Sequence, residues 1–427
     1  GTAEAGPPPA AAPGRFTVVA PGPGADGTGE AATRATVGFV ALMASLGALN
    51  AFATDIVIPV LGDIAAEVEL SDPNRRQWIV YAVFVGMGFS QLLIGPISDR
   101  HGRRAAVFLG MAVYLLGAAL AAAAPSFELL LAARALQGLG SGGMRVMVLA
   151  ITRDRFAGDE MSRIFSLSTA AFVLMVLLAP FLGEWLSRLG SWRWVFLWLA
   201  FQGVATGIWF ALAQPETLRP EHRRPLRVGP VLRVLWEVLS TPAALRAALA
   251  LAVSFGAFAA YLGSAQQLFG EVYGLEDEAL PGAFAVLALA YGAGSLLNAR
   301  AVRAFGAHRM ARGALALWLV AGAVGAGAAL ELAGGVPPFP VFMAIAALPI
   351  GAFALLYGNL LSLALEPMGD KAGSAASAAS ALSAFGGAGT AAATGALFDG
   401  TVAPLLLTFA AAGGLGLLAL GPAPRRS

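Results

Sequence analysis

At 427 residues, 58% hydrophobic and only 12% charged, the chain is too apolar to fold in water without large exposed patches, since soluble domains carry roughly 25% charge. With a mean hydropathy of +0.74, the solvent it implies is lipid. A net charge of +2 leaves no nucleic-acid footprint, and zero cysteines with three histidines exclude disulfides and thiolate chemistry and argue against a metal centre.

Residues 1–34 are Pro/Ala/Gly-rich without an apolar run, and are expected to form a disordered cytoplasmic tail, not a signal peptide. Twelve apolar runs follow, near 36–61, 78–97, 105–124, 128–150, 163–186, 193–213, 244–268, 281–302, 309–331, 338–362, 372–396 and 402–421. Each is about the length that crosses a bilayer as a helix. A Pro- and Arg-rich stretch divides them. The expected organisation is a six-helix bundle over 35–213, a cytoplasmic linker over 214–243, a second bundle over 244–421 and a short tail over 422–427. The expected fold class is therefore all-α, with twelve transmembrane helices in two pseudo-symmetric six-helix bundles. Leu92-Leu93 before Gly102 and Leu296-Leu297 before Gly306 give a weak echo between the halves, as internal repeats of transporters do.

Loop charges set the expected orientation. Alternate loops carry Arg100, Arg103 and Arg104; Arg153, Arg155 and Arg163; Arg219, Arg223, Arg224, Arg227 and Arg233; Arg303, Arg309 and Arg312; and Lys371, the only lysine. The opposite set carries Asp63, Glu67, Glu69, Asp72, Glu128, Glu271, Glu276, Asp277 and Glu278, and few arginines, namely Arg75, Arg76, Arg188 and Arg193. Both termini are expected in the cytoplasm.

Charges within spans need a reason. Asp55 lies in the first span and Arg134 in the fourth, each about six residues from the same face, so a direct couple between them is plausible. Pro59 supplies no N–H to the Asp55 carbonyl, which bends the helix at the acid. In the fourth span Arg134, Gln137, Gly138, Ser141, Gly142 and Arg145 share one helical face, read as cavity-lining; the alternative is a small-residue packing seam. Asn50 of the first span joins this set. The fifth span carries Pro180, Gly183 and Glu184, a kink with an acid near its outer end. In the short charged loop, Asp99 is placed to cap the following helix, and Asp154 to pair with Arg103. The second half offers mostly uncharged candidates: Tyr261, Gln266, Gln267, Tyr291, Asn298, Tyr357 and Asn359.

The loop Gly95-Pro-Ile-Ser-Asp99-Arg100-His-Gly102-Arg103-Arg104 resembles the signature loop between the second and third helices of the major facilitator superfamily. Ala53-Thr-Asp55-Ile-Val-Ile-Pro59, Arg134-Ala-Leu-Gln137-Gly138, Ile151-Thr-Arg153-Asp154, Leu178-Ala-Pro180 with Gly183, Ser191-Trp-Arg-Trp-Val-Phe196, Leu365-Glu366-Pro-Met-Gly369 and Phe398-Asp399-Gly400-Thr401 resemble its drug–proton antiporters of the bicyclomycin/chloramphenicol-resistance (Bcr/CflA) type. The resemblance implies that Asp55 is the proton- and substrate-responsive acid and Arg134 the base facing it. It further implies that Asp99, Arg103 and Asp154 form a gating relay, and that Pro180 and Gly183 belong to the motif associated with antiport. The chain departs at that motif, where Ala179-Pro180 replaces Gly-Pro and Gly183-Glu184 replaces Gly-Gly.

The resulting expectation is a proton-driven exporter of a small amphipathic, drug-like molecule, working by alternating access in the bacterial cytoplasmic membrane. It is expected to be a monomer with no cofactor, no metal, no nucleic-acid partner and no enzymatic activity. A proton-coupled importer of a nutrient or metabolite, and a non-transporting scaffold or sensor, are the alternatives.

Overall fold

The computed structural model describes residues 28–156, 158–223, 228–275, 279–331 and 333–422. The expected tail 1–34 falls mostly outside them, as do Arg224, Arg227, Glu276, Asp277, Glu278 and nearly all of 422–427. Contacts divide the chain into a short unit through Phe39 and a large one from Val40 onward; every site residue below belongs to the second. All regular secondary structure among the described residues is helical, with no strand.

The first span is α1 (Thr28–Asp55), a 3-10 turn at Ile58–Val60 and α2 (Leu61–Glu67). The α-helix stops at Asp55, four residues before the proline, as the missing N–H dictates. A second 3-10 turn at Pro73–Gln77, capped by the Asp72 carboxylate on the Asn74 N–H at 2.9 Å, leads into α3 (Trp78–His101). Gly102 ends α3 at φ +99° and α4 (Arg103–Ala122) starts at once. Only glycine adopts that backbone without strain. The fourth span is not one helix: α5 (Phe127–Ser141) and α6 (Met144–Arg155) are separated by Gly142-Gly143. Next come α7 (Gly158–Ser187) and α8 (Arg193–Ala213).

Inside the expected linker lies a helix, α9 (Val228–Ser240), whose Val234 and Val238 are buried with Ala244 and Ala378. The second half is α10 (Pro242–Gln266) running into a π-helical turn at Gln267–Val272, then α11 (Ala279–Phe305), α12 (Ala307–Glu331), α13 (Phe339–Leu365), α14 (Ala372–Gly395) and α15 (Ala403–Leu420). Among the described residues nine helical stretches are long and apolar enough to cross a membrane. The broken α5–α6 pair, α7 and the Ala/Ser/Gly-rich α14 supply the remaining three of the twelve expected spans.

Small residues set the spacing inside each half. A side chain at Gly138 of α5 would strike the Val83 carbonyl of α3, and one at Gly86 of α3 the Ala135 carbonyl of α5, so the two backbones touch as lipid-embedded helices must to gain packing energy. The halves meet through α3 on α14 and α7 on α11. Each pairing joins a second or fifth helix of one half to a fifth or second helix of the other, which is the pseudo-symmetry expected of repeated bundles.

Candidate functional site

Because α1 ends at Asp55, the Ala53 carbonyl is one of the C-terminal acceptors left open. Arg134 takes it. This side chain is completely buried; it donates from Nη2 to Ala53, from Nε to the Ile79 carbonyl of α3 at 3.0 Å, and from Nη1 to the Gln137 amide oxygen. Phe196 stacks on it at 5.6 Å. A planar guanidinium is suited to satisfying several oxygens at fixed angles. The expected direct couple between Asp55 and Arg134 is therefore not formed. Every hydrogen-bond partner of Arg134 is a neutral oxygen.

Asp55 is partly exposed and makes no hydrogen bond or ion pair among the described residues. Its charge is within electrostatic range of Tyr261 on α10. On the other side of the break, a side chain at Gly183 of α7 would collide with the Ile56 carbonyl. The fifth-span motif thus presses on the residue that follows the acid, which sequence spacing did not reveal. Glu184 itself lies 3.8 Å from Arg188 near the end of α7.

The fourth-span face is corrected by burial. Arg134, Gln137 and Ser141 are fully buried, packed toward α1 and α3 rather than lining open space; Asn50 donates to Ser141 at 3.3 Å. The helix break at Gly142 changes the facing, and Arg145 of α6 is exposed. Tyr114 of α4, absent from the sequence-based set, is buried beside Arg134 and Gln137. In the second half Tyr261 and Asn359 are buried, with Asn359 donating to Asn298 at 2.7 Å between α13 and α11. Tyr291 and Tyr357 are partly exposed. They join Phe255, Phe258 and Phe353 in one aromatic cluster, reached from the first half by Phe84 at 5.1 Å from Phe255.

Around the Asp99 loop, Arg103 binds Asp99 at 2.8 Å and Asp154 at 3.0 Å. The cap on α4 is not Asp99, as expected, but Glu216, which accepts from the Arg103 and Arg104 N–H groups at 2.9 and 3.0 Å. Thr217 adds a hydrogen bond to Asp154 at 2.9 Å, and Arg104 caps the end of α8 through the Ala211 and Gln214 carbonyls. Arg100 is exposed, and Gly95 has open space beside it. The Pro215-Glu216-Thr217 run was the missed signal, an acid and a hydroxyl directly after a span.

Burial pushes the Glu216 carboxyl up, and four backbone N–H donors, from Leu218, Arg104, Arg103 and Thr217, pull it down further, leaving it below the usual glutamate range. Its stabilisation is present above the unfolded value of about 4.3 and is lost as pH falls through the lower folded value. Glu216→Gln is expected to lower the thermal midpoint at neutral pH, with the gap to wild type closing below about pH 4; melting curves across pH in detergent check it.

Among the described residues, the opposite end of the molecule carries an extended polar connection between the halves. Arg76 is almost wholly buried and lies 2.6 Å from Glu271 on the π-helical turn. Beside it, Tyr81 donates to Gln77 at 2.8 Å, Gln77 to Gln267 at 2.6 Å, Gln267 to Asn74 at 2.9 Å and Asn74 to the Phe398 carbonyl at 2.9 Å. Gln267, not Gln266, makes the bridge; the Gln266 side-chain amide oxygen is buried without a hydrogen-bond partner among the described residues. Short π-helical turns recur at functional sites, and this one aims both Gln267 and Glu271 at the other half.

Two helical bundles thus meet through a polar network at one end, and the acid at the broken first span has no hydrogen-bond or ion-pair partner among the described residues. Residues 43–391 match the sequence family described as the Major Facilitator Superfamily. The chain is 28% identical over 387 residues to a bicyclomycin resistance protein homolog of Haemophilus influenzae, covering 88% of this chain and 94% of the relative. It is 32% identical over 183 residues to multidrug resistance protein D of Escherichia coli, covering 42% and 46%. A D-xylose–proton symporter structure superposes with a TM-score of 0.70 at 15% identity over 90% of this chain and 96% of that one, which establishes likeness of fold. The chain belongs to the major facilitator superfamily. It is a multi-pass membrane transporter, not an enzyme, and its relatives include drug-resistance proteins.

Proposed function

We propose that the chain is a proton-coupled exporter of small amphipathic, drug-like compounds, working by alternating access in the bacterial cytoplasmic membrane. One observation carries this reading: Asp55 is a partly exposed acid in a spanning segment, at the break between α1 and the next turn, with no hydrogen-bond or ion-pair partner among the described residues. An intramembrane acid is costly unless it is used. A proton or a cationic group on the substrate neutralises it, so the two ligands compete there and each shifts the balance of inward- and outward-facing states. The names of the drug-resistance relatives support export of drug-like compounds.

The arginine-rich loops support a cytoplasmic Asp99 end, which makes the Arg76–Glu271 end the outer one. The Arg76–Glu271 pair and the Gln77–Gln267 hydrogen bond at that end support reading this state as closed to the outside. Arg134 holds the end of α1 in register, and Gly183 lets α7 follow it closely as the bundles rock.

The test is proton release when candidate drugs are added to purified protein in weak buffer. Wild type is expected to release protons and Asp55→Asn to release none while still folding. Tight binding to both proteins with no proton signal from either would overturn the exchange mechanism.

A further inference from the structure

The linker helix α9 takes no part in the exchange proposed at Asp55, and its three sides face three different surroundings. At about 100° per residue, Val234 and Val238 share one side and are buried with Ala244 and Ala248 of α10 and Ala375 and Ala378 of α14. Arg233, Glu237 and Ser240 share a second side. There Lys371 Nζ donates to both Glu237 carboxylate oxygens, at 2.7 and 2.8 Å, which ties α9 to the turn before α14. Leu232, Trp236 and Leu239, at i, i+4 and i+7, share the third side, and all three are exposed, Trp236 by 69% and Leu232 by 58%. A helix that only covers a core needs one apolar side. This one has two.

What α9 packs on sets its level. The stretch Pro242–Val272 has 31 residues, about 46 Å at 1.5 Å per residue. A bilayer measures about 30 Å across its hydrocarbon and about 40–45 Å with its headgroups. Ala244 and Ala248 lie in the first two turns of that stretch, so α9 beside them sits at the depth of the headgroups and their boundary with the acyl chains. With 13 residues, about 20 Å of length, it is too short to cross. It belongs to the Asp99 end, because Arg104 at the start of α4 caps the end of α8, the helix that α9 follows. Arg233 of α9 and Arg246 near the start of α10 are exposed and make no ion pair among the described residues. The single acid of α9 is neutralised by Lys371.

An exposed Leu/Trp side flanked by arginines, at that depth, matches one surface. Apolar side chains gain by entering the acyl margin, while guanidinium groups stay with the phosphates above it. A water-soluble partner would have to enter the headgroup layer to reach Trp236. We propose that α9 is an interfacial anchor that docks the second bundle onto anionic phospholipids at the Asp99 end, with Leu232, Trp236 and Leu239 in the acyl margin and Arg233 and Arg246 on lipid phosphates. The Glu237 side then faces water, where its pair with Lys371 is solvated, and the Val234 side faces protein. This anchor is independent of proton coupling at Asp55.

The chain has no cysteine, so single cysteines carry a spin label without background. Leu239→Cys reports the apolar side of α9 and Ser240→Cys the polar one. The labelled full chain is placed in nanodiscs of phosphatidylcholine and phosphatidylglycerol, one transporter to a disc. Collisions with oxygen, which concentrates in lipid, are expected to dominate at 239, and collisions with a water-soluble nickel chelate at 240. Native mass spectrometry of the purified protein reads the headgroup preference separately. Retention of phosphatidylglycerol over phosphatidylcholine is expected to fall about fivefold for each of Arg233→Gln and Arg246→Gln, and Arg→Lys at either position to keep most of it. Nickel-dominated collisions at both positions would place α9 in water and overturn the anchor. A label at 239 shielded from both reagents would mean that protein covers the face; if it is shielded only in discs holding two transporters, that cover is a second copy, and either result overturns the lipid assignment. Unchanged phosphatidylglycerol retention in both glutamine variants overturns the choice of anionic lipid.

Discussion

Arg134→Met is expected to lower the stability of the folded transporter by on the order of 3 kcal/mol and to abolish transport. The side chain is fully buried and serves oxygens on three elements, the Ala53 carbonyl at the end of α1, the Ile79 carbonyl of α3 and the Gln137 amide of α5. Each buried acceptor left without a donor costs about 1–3 kcal/mol, and lipid cannot replace the donor. Part of that loss is offset, because the guanidinium itself no longer has to be buried. Arg134→Lys keeps the charge but presents a compact ammonium in place of a planar fork, so it is expected to fall between Met and wild type in stability. Thermal unfolding in detergent, read beside uptake into proteoliposomes, separates the two effects. A Met variant as stable as wild type would show that Arg134 does not hold the broken first span. One that melts early but transports normally would confine its role to folding.

Reversing one charge of the latch is expected to open it, and reversing both to close it again. Arg76→Glu sets two carboxylates together where an ion pair now stands at 2.6 Å, and Glu271→Arg sets two guanidinium groups together. Glu271 is about half exposed, so solvent weakens the pair, and simple neutralisation is expected to change little. Reversal adds repulsion between groups held at contact distance, beside a buried amide chain through Gln77 and Gln267 that must part with them. A shift of about tenfold toward the outward-open state corresponds to ~1.4 kcal/mol. The readout is deuterium labelling of the backbone N–H groups over residues 78–84 and 264–272, which leaves the network's side chains intact, with transport measured alongside. Faster labelling in each single reversal and return to the wild-type rate in the Arg76→Glu/Glu271→Arg double variant are expected. Unchanged labelling in the singles would mean that the Arg76–Glu271 contact does not bias the gate.

Much of the site was legible in residue chemistry. Asp55 stood out because a carboxylate in an apolar run has no ordinary reason to be there, and Pro59 announced the break beside it. The pairing of Arg103 with Asp154 followed from loop position. Partner choice was not legible. Equal depth brought Asp55 and Arg134 to the same level, but depth says nothing of azimuth, and the open Ala53 carbonyl was the nearer acceptor. The latch was hidden for a related reason: Arg76 and Glu271 lie in different halves of the chain and each reads locally as an ordinary loop charge. Glu216 was passed over because its donors are backbone N–H groups, which leave no trace in side-chain patterns.

By itself the sequence determined the solvent, the number of spans, the break in the first span and the residues with chemical reason to matter, because hydrophobicity, proline geometry and the cost of buried charge are local properties. The tertiary structure decided which of those residues meet. It buried Arg134, Gln137 and Ser141 while leaving Arg145 exposed, through a helix break at Gly142 that turns one continuous face into two. It also set Gly183 against Ile56 and Glu271 against Arg76. Contacts between helices depend on rotation about each axis, and rotation is fixed only when small residues such as Gly86 and Gly138 let neighbouring backbones lock together.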